Sequence, residues 1–350
     1  MAVSRINEAG LNVNQYGNRN LVINGGMQVA QRGSVAALQT GYGACDRFKL
    51  ASNSAARFDT TQSTDVPSGQ GFANSLKLDC STADTSVAAG DYYFIQQLIE
   101  GQNLQQLAYG TSSAKQMTLS FWVKSPKTGI HNLEVESADG GVFNIHQYTI
   151  ASANTWQNVK MTIDGYQTTA IANDDTAGLN INWWLLGGTT FSGGSYSENT
   201  WTSSNGNRAV GQVNVSDSTS NDFYITGVQL EVGDTATDFE HRSYGDEVVK
   251  CQRYFNYVRH GGTASNAGLS NSYGNYFPQA PMRNTPTATA VGADPLTAAN
   301  FTAYPGGASV SVIINALFEA ENGNISVRPY INGNGTYTYL EGFMSLDAEL

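Results

Sequence analysis

From residue 20 to about residue 245 the chain runs in short stretches of alternating apolar and polar positions. Leu119, Phe121 and Val123 fall on one face of an extended strand, and Ser120, Trp122 and Lys124 on the other, because successive side chains point to opposite sides of a sheet. Similar runs predict strands at 20–23, 48–50, 55–59, 75–78, 92–98, 116–124, 133–136, 148–150, 157–163, 179–186 and 223–231. Between them stand Ser68-Gly69, Asp139-Gly140, Asp164-Gly165, Ser192-Gly193 and Asn205-Gly206, pairs that accept the positive φ of tight turns. Many short strands with closely spaced turns predict a two-sheet sandwich, closed as a jelly roll. One helical turn fits 100–107, where Leu104 and Leu107 follow Ile99.

The period changes after Gly233 and Asp234 break the last of these strands. Asp246 and Glu247 suit the positive end of a helix, and Val248, Cys251, Phe255 and Val258 recur at helical spacing. Residues 246–260 therefore read as a linking helix with those four as its packed stripe. A Gly, Asn, Ser and Tyr tract follows at 260–276, then Pro278, Pro281 and Pro286, which mark an edge or connecting segment. Strands are expected again at 287–291, 309–316, 325–330 and 337–346, with Asn-Gly turns at Asn322, Asn332 and Asn334. So small a β-domain buries little core alone, which predicts oligomerisation into a closed ring. At the other end, Ile6, Leu11 and Val13 are spaced among polar residues, as in an arm that other chains would bury. The predicted chain is all-β: an attachment arm at 1–19, a jelly-roll sandwich at 20–245, a linking helix at 246–260 and a smaller C-terminal β-domain at 261–350.

Charged residues make up 13% of the chain, against about 25% in a typical globular domain, and glycine is abundant at 37 residues. The surface is built from hydroxyls and amides, a composition that fits extracellular β proteins and viral fibres and equally a loop-rich β protein of any kind. The net charge of −11 excludes the basic field that nucleic acid requires and argues against an anionic membrane surface. No apolar run reaches the roughly 18–20 residues of a membrane span, so no membrane insertion is expected. The first residues, MAVSRINEAGLNVNQ, lack the apolar core of a signal peptide, which predicts synthesis in a cytoplasm. Three cysteines, Cys45, Cys80 and Cys251, are too few and too far apart for a disulfide framework or a zinc pattern.

Candidate chemistry is sparse. His131, His146, His241 and His260 belong to no metal or catalytic motif, and no nucleophile elbow, phosphate loop or dinucleotide fingerprint occurs. Glu240, His241 and Arg242 read as an ion-paired connector. The carboxylate pairs Glu134/Glu136, Asp174/Asp175 and Glu319/Glu321 are the material for glycoside cleavage, but acids alternating along a strand are ordinarily its wet face. No catalytic residue, cofactor or metal site is assigned. Sugar binding needs aromatic faces among amides and hydroxyls. Of adjacent Trp183 and Trp184 one must face the core, leaving Trp184 as a candidate beside Trp201 in its Gly/Ser/Asn loop. Tyr273, Tyr276, Tyr337 and Tyr339 are the C-terminal candidates, and Tyr304 and Tyr330 lie in the same region. Trp122, facing away from the core, reads as a chain–chain contact or as covered by the arm, with a ligand platform as the alternative.

Three motifs give these readings a context: NLVINGGMQVAQRG at 20–33, LSFWVKSPKTG at 119–129, and GVQLEVG at 227–233 leading through FEHRSYGDE into CQRYF at 251–255. In this order they resemble a module of tailed-bacteriophage tail fibres and related virion proteins, in which a carbohydrate-binding-module-like jelly roll enters a short helix. QQLIEGQNLQQLAYG at 96–110 and the ending FMSLDAEL fit the same pattern. The resemblance implies a virion protein assembled in the host cytoplasm: a homotrimeric tail-fibre or fibre-tip subunit whose partners are itself, other tail or capsid proteins, and a host-surface glycan or protein. Weak sites repeated in several chains would then bind by avidity, without catalysis. A capsid-surface decoration or head fibre is the alternative, since no extended shaft is present, and a polysaccharide-degrading tailspike enzyme is the alternative from another class. Asp46, Asp222 and Glu231 are the carboxylates for a structural Ca²⁺, which jelly rolls of this type sometimes carry.

Overall fold

The computed structural model describes residues 18–265, 270–272, 274–276, 281–284, 286–292, 301–304, 308–310, 312–320, 324–331 and 339–350; side chains are described for 18–259, 281–284, 286–289 and 344–350. Two antiparallel sheets face each other across one apolar core. The six-stranded sheet runs, in spatial order, Val35–Leu38, Arg57–Ser63, Ser75–Thr82, Asp222–Val232, Met117–Lys124 and Gln157–Ile163. The seven-stranded sheet runs Trp201–Thr202, Val142–Ile150, Gly129–Ser137, Ala177–Gly187, Tyr92–Glu100, Lys49–Ser52 and Gly41–Tyr42. Most consecutive strands lie in different sheets, so the chain crosses repeatedly between layers, and the expected jelly-roll sandwich is what forms. The alternation sets its core: Leu119, Phe121 and Val123 point inward with Leu76, Leu78, Ile225 and Leu230 to meet Ile95, Leu133, Val135 and Ile181 of the other sheet. Trp183 closes this layer, edge-on to Phe121 at 5.8 Å.

Two expected elements differ. Residues 20–23 form turns rather than a strand. Asn20 and Asn24 bind backbone with their side chains: Asn20 Oδ1 accepts from Val22 and Leu230 N, and Asn24 donates to Val29 and Asp46 carbonyls. Asn24 and Met27 sit at φ +61° and +55°, conformations for which asparagine's own hydrogen bonds compensate. The second difference is the linking helix, which spans Tyr244–Gln252 and not 246–260. Ser243 caps it, accepting from Asp246 N, and Glu247 in its first turn accepts from Asn24 N and from Arg242. Cys251 is buried as expected, but Val248 is only half-buried. Phe255 and Val258 are buried on a strand, Phe255–Ser265, whose aromatic and β-branched residues pair with Tyr339–Asp347 in the register Phe255↔Asp347 and Val258↔Met344. Strand pairing overrides the helical spacing at these two positions.

The C-terminal β-domain is a third antiparallel sheet of nine strands among the described residues, centred on Phe255–Ser265 and Tyr339–Asp347. It is joined to the sandwich through charge. Arg47, 1% exposed, donates to Glu349 and to Leu98 O and lies 3.5 Å over the Tyr254 ring. Arg32 stacks at 3.6 Å on Phe255 and pairs with Glu349 and Asp347, while Arg253 forks onto Glu100. Cys45, Cys80 and Cys251 are buried free thiols.

Candidate functional site

The outer face of the six-stranded sheet holds the aromatic groove of interest. Trp122 points outward from Met117–Lys124, between Thr226 on one neighbouring strand and Asn158 on the other. It is half-buried and lines a cavity on this face. Beside it the central strand Asp222–Val232 bulges between Thr226 and Gln229, with Gly227 at φ +62°. A Cβ on Gly227 would stand 2.5 Å from the tip of the Phe72 ring, so the glycine lets Phe72 approach the strand closely. Phe72 packs edge-on to Phe239 at 5.0 Å, and His241 closes the triangle at 5.5 Å from Phe72 and 4.9 Å from Phe239.

Hydrogen bonds fix the segment that carries Phe239 and His241. Thr237 donates through N and Oγ1 to the carboxylate of Glu231, and Glu240 N donates to Gln229 Oε1. Burial works against the Glu240 charge, but donation from Asn20 N and Arg19 N, together with the Arg242 charge, holds its carboxyl below the ordinary range. Glu240 and Arg242 are thus the ion pair expected of this connector, at 3.1 Å, while His241 is drawn instead into the aromatic cluster. The resulting groove has a volume of about 250 Å³, with Trp122 and Phe72 along its apolar side and Gln70, Asn158, Lys160 and Asp238 supplying amide, ammonium and carboxylate groups. It can take an amphipathic ring, stacked on one face and hydrogen-bonded at its edges.

The other candidates lie elsewhere. Trp184 is fully buried, in a second cluster with Phe94 and Ala209 on the outer face of the seven-stranded sheet, and offers no surface. Both tryptophans of the pair are interior because the loop carrying Thr189–Ser192 and Ala209 packs over that outer face. Trp201 is half-buried between Tyr109 and Tyr166, and its indole donates to Asp164 O. Tyr276 and Tyr339 end and begin strands of the C-terminal sheet, with side chains outside the described set; Tyr273, Tyr337, Ile6, Leu11 and Val13 lie outside the described residues altogether.

Glu134 is no wet-face acid: it is fully buried and accepts two bonds from Arg208, at 2.6 and 2.7 Å, with others from Asn182 and Trp184. Glu136 is bound by Asn180, Asp174 by Thr176, and Asp175 lies 3.9 Å from Arg283. The three carboxylates considered for Ca²⁺ stand apart on different partners: Asp46 with Gln31, Asp222 with Tyr224 and Lys77, Glu231 with Arg19 and Thr237. Among the described residues, no three His, Cys, Asp or Glu side chains converge as a metal site.

No family model matches this chain, and no curated protein matches it. Solved structures do. One is the tailspike protein 4 enzymatically active domain of bacteriophage CBA120, at 15% identity and TM-score 0.34 over 61% of this chain and 22% of that one. Another is the family 11 carbohydrate-binding module of the cellulosomal cellulase Lic26A-Cel5E of Clostridium thermocellum, at 15% and 0.28 over 60% and 98%. A third is TmCBM61 in complex with β-1,4-galactotriose, at 10% and 0.30 over 62% and 100%. The chain therefore spans 22% of the tailspike chain and nearly the whole of the two modules.

Proposed function

We propose that the protein binds a glycan, without cleaving it, in the groove over Trp122. The observation that carries this reading is a partly exposed indole flanked by Phe72, Phe239 and His241 and ringed by Gln70, Asn158, Lys160 and Asp238. An apolar ring face with hydrogen-bonding groups on its rim matches the two-sided chemistry of a pyranose. The motif resemblance supports a setting in a virion fibre, where three copies side by side turn weak single sites into firm adhesion to a host surface.

Trp122→Ala should weaken glycan binding about tenfold to a hundredfold, the loss expected when roughly 1.5–3 kcal/mol of aromatic contact is removed. Its thermal midpoint should stay within a few degrees of the wild type, because the side chain lies outside the packed core. Retention of the two proteins on a glycan array, beside their melting curves, checks this. Undiminished retention by the variant overturns the assignment of the groove, and release of reducing ends from a bound glycan overturns the non-catalytic part. Light scattering should give a mass near three chains; a monomer counts against the fibre setting.

A further inference from the structure

The strand next to Trp122, Gln157–Ile163, is the outermost of its sheet among the described residues: it pairs with Met117–Lys124 on one side and leaves its other edge open. Along that edge lies a cleft of about 1020 Å³ between the margins of the two sheets. Its lining includes Glu198 and Asp234, both exposed, with Asp234 O accepting from Thr162 of this strand, and also His146 and Tyr148. His146 Nε2 and Tyr148 Oη have no hydrogen-bond partner, although the residues are 3% and 6% exposed. Buried polar atoms left unpaired are costly and are ordinarily satisfied by water or a ligand. Asn158 and Lys160 line this cleft and the Trp122 groove alike, so the two cavities meet at those side chains.

We infer that groove and cleft form one path across the open edge, and that the ligand is an internal stretch of a polysaccharide, several sugars long, rather than a terminal sugar. One ring stacks on Trp122; the chain then passes Asn158 and Lys160 and lays its next units in the cleft, where carboxylates and strand-edge amides take its hydroxyls. This rests on the glycan reading of Trp122 and extends it.

The test is a titration of the intact protein with cello-, laminari-, xylo-, galacto- and chito-oligosaccharides, each from the single sugar to the hexasaccharide. For the series that binds, Kd should fall by about tenfold or more from disaccharide to hexasaccharide. Trp122→Ala should weaken every length. The double variant Glu198→Ala/Asp234→Ala changes the cleft and leaves the lining of the Trp122 groove intact, and should weaken the hexasaccharide by about tenfold while leaving the disaccharide unchanged. Equal affinity at all lengths, or a double variant that weakens short and long ligands alike, overturns the path but leaves the Trp122 site standing. Absence of binding by any member overturns both.

Discussion

Arg208→Ala should destabilise the sandwich by about 3–5 kcal/mol, the usual loss when one partner of a buried ion pair is removed. The arginine holds Glu134, which has no exposure of its own, through a fork of two bonds. Without it the carboxylate keeps only Asn182 and Trp184 as donors in an apolar setting. Burial works against the Arg208 charge, yet the hydrogen bonds and charge of Glu134 raise its pKa above the ordinary arginine value, so the guanidinium stays charged. Arg208 also covers Phe143 at 4.0 Å and stands over Trp184 and Phe191, so its loss opens the small cluster beneath the loop. Arg208→Lys should recover only part of the loss, since an ammonium cannot reproduce the planar fork. Urea unfolding of the three proteins measures this. A midpoint for Arg208→Ala within experimental scatter of the wild type means that the pair contributes nothing.

Acid should weaken the fold well before the carboxylates titrate. Burial of His131 and His146 lowers both pKa values from 6.5 to about 4, with only small opposing contributions from Lys127 O and the Asp164 charge. Each imidazole is therefore neutral in the folded chain at pH values where it is protonated in the unfolded one. The unfolded state binds more protons in this window, so stability rises with pH. It is fully present above about 6.5, declines as pH falls, and levels off below about 4. The two imidazoles together contribute about 7 kcal/mol across that range, at about 1.4 kcal/mol for each pH unit that separates the folded and unfolded pKa of a group. Asp46 and Asp222, held above the usual carboxylate range by burial, act in the opposite sense. The readout is accordingly a difference: unfolding free energy at pH 7.5 minus that at pH 5, for the wild type and for His131→Gln/His146→Gln. The double variant should lose most of the dependence; an unchanged slope refutes the assignment to these histidines.

Much of the sandwich was legible as alternation. The strand expected at 157–163 is found at Gln157–Ile163, and those expected at 92–98, 179–186 and 223–231 are found lengthened by two or three residues. Runs without alternation were missed: Val35–Leu38, Gly41–Tyr42 and Trp201–Thr202 are short edge pieces, held by a neighbour's hydrogen bonds and not by an apolar face. Of the groove, the outward direction of Trp122 was legible and its companions were not. Phe72, Phe239 and His241 meet it only through sheet order and loop path. One local signal did mark the place: Gly227 interrupts the alternation of ITGVQLEV, and a glycine inside a strand is where another group comes close to the backbone.

The choice of Trp184 as an exposed aromatic failed for a reason that alternation cannot supply. A period of two assigns each side chain to a face, and does so correctly here: Trp183 lies between the sheets and Trp184 outside them. Whether an outer face is wet depends on which distant segment folds over it. Over Glu134 and Trp184 that segment is the loop bearing Arg208; over Trp122 the flanking segments stop short and leave a groove. The sequence by itself determined the strands and which side chains share a face, because strand geometry is local. Tertiary structure alone decided which of those faces meets solvent, because covering a face takes residues far away in the chain.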